Sequence, residues 1–240
     1  MNTSALAPAP SKPDDNRDLI AYVLPFGLFM LALAAVGMVQ GMAPDENAPF
    51  WMREPMYWIY PAQAMACAAA LIWGWSRYDF GAQRGIPLAV IVGLAVFFLW
   101  VSPQMFFGQP QRTDGFDPTV FGEGAGLFWL TVLGRFFRLV IVVPIMEEVF
   151  WRGFLMRYLI NERFRKVEMG QYTHLSFWAV TVLFALAHWG PDLIPAILTG
   201  AIFGWVTIKT RSLTAVIVCH AVTNLALGIY IMLTNQWGFW

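Results

Sequence analysis

Apolar stretches recur along the chain at residues 19–39, 56–75, 86–101, 139–160, 173–189, 193–208 and 213–233. A helix crosses a hydrocarbon core of roughly 30 Å with about 20 residues, at 1.5 Å rise per residue. The pattern therefore predicts an all-α, polytopic transmembrane helical bundle of seven spans. Tyr57, Trp58, Tyr60, Trp73 and Trp75 edge the second run, where aromatic rings suit the headgroup region. Between the third and fourth runs, Thr131, Arg135 and Arg138 recur at i, i+4 and i+7. This polar stripe predicts an interfacial or obliquely entering helix before a kink at Pro144, or else a face turned toward a site.

Polar connections orient the bundle. Arg77 with Arg84, the basic cluster from Arg157 to Lys166, and Lys209 with Arg211 all fall on one side of a seven-span arrangement. The loops at 41–55 and 104–126 carry Asp45, Glu46, Glu54, Asp114, Asp117 and Glu123 and fall on the other. Short basic connections stay cytoplasmic, which places the N-terminus in the cytoplasm. Residues 1–18 are polar and proline-containing and read as a disordered tail before a retained first helix, since no small-residue cleavage site follows the first run. Residues 19–126 then form N-terminal transmembrane helices and loops, and residues 127–240 a second helical unit.

Composition agrees with the pattern. The chain is 58% hydrophobic and 12% charged, far from an ordinary soluble domain, so a lipid bilayer is its first partner. Fifteen basic and fifteen acidic residues cancel, and no field points to nucleic acid. Cys67 and Cys219 sit in apolar runs without metal-ligand spacing and read as buried thiols.

Against this background one segment, PIMEEVFWRGFLMR at 144–157, places two carboxylates and two arginines in an apolar run. A charge at the centre of a membrane helix costs roughly 2.5 to 3.5 kcal/mol, so such residues are functional candidates. At about 100° per residue, Glu148 and Arg152 share a face as i,i+4 partners, and Glu147 points about a quarter-turn away. One glutamate is thus paired and one free. His188 lies four residues after Phe184, and His220 four residues before Asn224. Counted from the basic ends, Glu147, His188, His220 and Asn224 lie at roughly 24, 22, 13 and 20 Å of helix rise, depths compatible with one site near the midplane or in the outer half.

Two chemistries suit such a site. Glu147 and His188 can activate water as general bases while His220 and Asn224 donate to an oxyanion. Alternatively, Glu147, His188 and His220 can ligate a divalent metal such as zinc with an open water position. No HExxH pair is present.

Glu147-Glu148-Val-Phe-Trp-Arg152, Phe184-Ala-Leu-Ala-His188 and His220-Ala-Val-Thr-Asn224 resemble the EExxxR, FxxxH and HxxxN/D motifs, in order, of the CPBP family of CAAX proteases and bacteriocin-processing enzymes. The resemblance covers about residues 139–233. It implies an intramembrane endopeptidase, glutamate-dependent or metal-dependent, in which Glu147 and His188 activate water, His220 and Asn224 form the oxyanion site, and Glu148 with Arg152 is a supporting ion pair. Family members are often drawn with eight spans. The segment Gln236-Trp-Gly-Phe-Trp240 and the wording of 144–157 are also similar to CAAX-protease-related proteins associated with exosortase sorting systems. That narrower resemblance implies a bacterial inner-membrane enzyme whose partner is an exported protein with a transmembrane or membrane-proximal C-terminal segment. Two other classes compete: a non-catalytic scaffold or chaperone for partner helices, and a proton- or metal-coupled transporter. No inverted repeat of interrupted helices supports the transporter.

Overall fold

A computed structural model describes residues 16–43, 45, 47–188 and 190–240. Each predicted apolar run has a helix as its body, with ends that differ by a few residues: α1 Asn16–Gly41, α2 Met56–Gly74, α3 Ile86–Phe106, α4 Gly126–Tyr158, α5 His174–Ala187, α6 Leu193–Thr210 and α7 Leu213–Thr234. Five of them, α1, α3, α4, α6 and α7, are long and apolar enough to cross a membrane. The predicted number of seven exceeds this for two physical reasons. Tyr57, Trp58, Tyr60 and Gln63 dilute the hydropathy of α2, and α5 is only 14 residues long. The tail expected at 1–18 lies largely outside the described residues, but its last three residues are already helical, and Asp18 is buried in salt bridges to Arg77 and Arg165.

The surface of the bundle is apolar. Leu31, Ile72, Ile91, Leu130 and Leu133 are all more than 60% exposed, whereas Glu148, Arg152 and Arg157 are almost completely buried. Charges inside and hydrocarbon outside is the arrangement that lipid demands.

Close pairs organise the packing: α1 with α2, α3 with α7, and α5 with α6. The α3–α7 contact depends on Gly93, where an added Cβ would meet the Cys219 carbonyl. With no side chain there, Thr223 Oγ1 reaches both the Gly93 carbonyl, at 2.8 Å, and the Cys219 carbonyl, at 3.1 Å. Small residues permit this kind of backbone approach between membrane helices. Cys67 and Cys219 are buried and unpaired.

The basic connections meet at one end. Arg84 Nε donates to the Thr210 carbonyl at 2.8 Å, Ala82 N–H to the Arg211 carbonyl at 2.8 Å, and Arg157 pairs with Asp79 at 3.1 Å. At the other end the loop before α4 is tied to α6 by an Arg112–Asp192 salt bridge at 2.7 Å. It is tied to the chain's last residues by a hydrogen bond from Gly238 N–H to the Arg112 carbonyl at 2.9 Å.

Residues 126–158 form one unbroken run, as the lack of a turn predicts, but not a uniform helix. Phe137–Val142 and Val149–Leu155 are π-helical, bracketing an α-helical Val143–Glu148. The first widening has a visible cause. Val143 N–H bonds the Arg138 carbonyl, five residues back, and the next residue, Pro144, has no N–H to offer the Leu139 carbonyl. The Pro144 kink expected from sequence is therefore a local π-helical expansion, a feature that recurs at functional sites.

Candidate active site

Three elements bring the predicted residues to one place. Glu147 from α4, His188 from the end of α5, and His220 and Asn224 from α7 all line a cavity of about 270 Å³. Thr199 of α6, Arg138 of α4, Tyr60, Asp192 and Thr223 add to its polar lining.

The two glutamates divide as the helical spacing predicts. Arg152 Nη1 lies 3.1 and 3.0 Å from the two oxygens of Glu148, and both side chains are fully buried. Arg152 Nη2 donates to the Gly200 carbonyl of α6 at 3.0 Å, and its guanidinium lies over Phe184 and Phe203. Glu147, only 5% exposed, has an oxygen, Oε2, with no hydrogen-bond partner among the described residues. An acceptor left open on a cavity wall is available to a water or a substrate proton.

Beyond the i,i+4 pair, Glu148 also holds His220, whose Nδ1 lies 2.9 Å from Oε1. An ionised carboxylate only accepts, so the proton sits on Nδ1 and Nε2 is the nitrogen left for the cavity. His220 therefore donates to an oxyanion only as the imidazolium, with Glu148 as its counter-ion.

His188 departs from its expected position. It lies just past the end of α5, in a non-helical conformation that precedes Gly190 at φ +108° and Pro191. A helix does not continue easily into a residue before proline, and glycine accepts the left-handed backbone of the turn. His188 Nδ1 bonds the Phe184 carbonyl at 2.8 Å. A carbonyl is an acceptor, so here too Nε2 carries the free lone pair. The Phe184–His188 spacing thus has a physical purpose: the phenylalanine supplies the carbonyl that fixes the imidazole, and their rings pack 4.5 Å apart.

Asn224 satisfies the carbonyl that Pro144 orphans. Its Nδ2 donates to Leu139 O at 2.9 Å, which leaves a second N–H and Oδ1 unassigned. Asn224 thus links α7 to the widened turn of α4, a role the sequence did not reveal.

Glu147, His188 and His220 are the donor types of a catalytic zinc site. Among the described residues, however, no three His, Cys, Asp or Glu side chains converge closely enough to hold a metal ion. The Glu147, His188 and His220 set does not fit a metal in this arrangement, and no step below is routed through one.

Sequence reasoning missed three contributors. Thr199, whose buried Oγ1 has no hydrogen-bond partner among the described residues, carried no signal in the sequence. Phe239 and Trp240 also line the cavity because the last residues fold back over it, with Gln236 bonding Arg112 N–H and Tyr230. Arg138 had a signal, since its polar stripe could face a site, and it does.

Residues 127–226 match the family model described as type II CAAX prenyl endopeptidase Rce1-like. No curated protein and no solved structure matches the chain. The match begins at the start of α4 and ends within α7, so the stretch that carries Glu147, His188, His220 and Asn224 is a CAAX-protease-like domain.

Proposed function

We propose that the chain is an intramembrane endopeptidase that hydrolyses a peptide bond in or near a membrane-embedded C-terminal segment of a protein substrate. The observation that carries this reading is the division between adjacent glutamates: Glu148 is ion-paired with Arg152 and His220, whereas Glu147 lines the cavity with no hydrogen bond or salt bridge to its Oε2 among the described residues.

In the proposed cycle, Glu147 takes a proton from water, assisted by His188 Nε2, and the resulting hydroxide attacks the scissile carbonyl carbon. Negative charge then develops on the carbonyl oxygen, where His220, as the imidazolium, and the second amide hydrogen of Asn224 donate. Collapse breaks the C–N bond as the proton held by Glu147 passes to the leaving amine. Water-poor surroundings strengthen each of these interactions. The substrate enters from the bilayer, the N-terminus is cytoplasmic, and all seven helices traverse or enter the membrane. Contacts among the three basic connections at one end of the bundle support that topology. The division of the chain near residue 127, and the placement among exosortase-associated bacterial inner-membrane proteins, are parts of the same proposal; the latter rests on residues 144–157 and 236–240 alone.

Proteoliposomes containing the wild-type chain, a candidate substrate and, in parallel, Glu147→Ala and His188→Ala variants test the reading. Cleavage is expected from the wild type only. Equal cleavage by both variants would refute it, and partner binding without any product would favour a scaffold.

A further inference from the structure

Arg135 and Arg138, one turn apart on α4, are 4% and 8% exposed, and neither forms a salt bridge among the described residues. Arg138 Nε donates to Gln63 Oε1 at 2.8 Å, and its guanidinium lies 4.5 Å from the Tyr60 ring centroid. Arg135 is enclosed by Tyr60, Phe116 and Trp240 at 4.5 to 5.4 Å, and its Nη1 is buried without a hydrogen-bond partner among the described residues. Ring faces attract a cation but supply no hydrogen-bonding anion. The Glu147 carboxylate acts on Arg138 from across the shared cavity, whereas no carboxylate compensates Arg135 among the described residues; an anion placed between the two guanidiniums would relieve the cost of burying them together.

Position tells which anion. Arg138 lines the cavity that contains Glu147, and it joins Arg135 in lining a neighbouring cavity of about 300 Å³, with Tyr60 common to both. Glu147 lies nine residues further along α4, roughly 13 Å of rise, which an extended peptide covers in about four residues. A short peptide end is long enough to occupy both cavities.

We propose that Arg135 and Arg138 receive the free α-carboxylate of the substrate, so that the cavity selects bonds close to a C-terminus. This subsite rests on the proteolytic reading above. Guanidinium groups suit the role because they bind carboxylates with paired, charge-assisted hydrogen bonds.

The probe is N-acetyl-Leu-Leu-Leu as the free acid and as the C-terminal amide, titrated calorimetrically into the detergent-solubilised full chain carrying Glu147→Gln. The acid is expected to bind about 10- to 100-fold more tightly than the amide, the range for a charge-assisted hydrogen bond away from water. Arg135→Gln and Arg138→Gln are expected to bring that ratio toward one, whereas Arg138→Lys retains part of it and controls for folding. Equal binding of acid and amide, or a ratio that survives both glutamine substitutions, would overturn the proposal. So would equal binding accompanied by phosphatidylglycerol that co-purifies from nanodiscs with the wild type and is lost in Arg138→Gln, since the pair would then hold a lipid phosphate. Binding needs no turnover, so selective acid binding by a chain that never cleaves would refute the catalytic reading and leave the carboxylate site standing. Cleavage that is indifferent to amidation would do the reverse.

Discussion

Glu148 Oε1 lies 2.9 Å from His220 Nδ1 while the same carboxylate holds Arg152, so one buried glutamate ties α4 to α7 and fixes which imidazole nitrogen the cavity sees. Arg152→Met removes the cation and leaves Glu148 buried beside His220 alone. Breaking a buried ion pair from one side costs about 3 to 5 kcal/mol, so thermal unfolding in detergent should begin well below the wild-type temperature. The buried thiols of Cys67 and Cys219 give a direct readout through a thiol-reactive dye. An unchanged melting curve would mean that the pair does not hold the bundle together.

Glu148→Gln separates charge from shape. The amide can still accept from His220 but no longer balances an imidazolium, so proteolysis should fall by about 100-fold or more, the scale of losing one oxyanion donor. The protein should still reconstitute. Full activity in this variant would show that His220 acts without a counter-ion.

Asn224 and Pro144 form a testable couple. Asn224→Leu strands the Leu139 carbonyl and should cost about 1 to 3 kcal/mol, the penalty of an unsatisfied buried polar group. In a Pro144→Ala background, position 144 regains an N–H and can satisfy that carbonyl from within the helix. The same Asn224→Leu change should then cost less by about 1 kcal/mol, a coupling that a double-mutant cycle measures directly. Additive effects would contradict the link between the missing proline donor and the asparagine.

The α3–α7 contact makes its own prediction. Gly93→Val drives a side chain into the Cys219 carbonyl and should displace the helix that bears His220, lowering both melting temperature and activity. Gly134→Val, where an added Cβ meets nothing, should change neither, apart from the few tenths of a kcal/mol due to helix propensity. The two variants are compared by the same thiol-dye melt.

Much of the site was legible in the sequence because it depends on spacing along single helices. The i,i+4 relation separates Glu148 from Glu147, and Phe184 and Asn224 stand one turn from His188 and His220. What was not legible arises between helices or from local departures from 3.6 residues per turn. Neither Glu148–His220 nor Asn224–Leu139 has a signature within one segment. The first π-helical turn follows from a missing proline donor combined with a partner on another helix, and no periodicity encodes that combination. Five of the seven expected spans are long and apolar enough to cross a membrane by themselves, while α2 falls short in hydropathy and α5 in length.

The central claim is that Glu147, left open by the engagement of its neighbour, activates the water that cuts the substrate. Mass spectrometry of membrane and exported proteins, compared between cells carrying the wild-type chain and cells carrying Glu147→Gln at equal abundance and equal melting temperature, tests it most directly. A processed C-terminus present with the wild type and absent with Glu147→Gln is the predicted result; an identical set of C-termini in both cells would contradict the account.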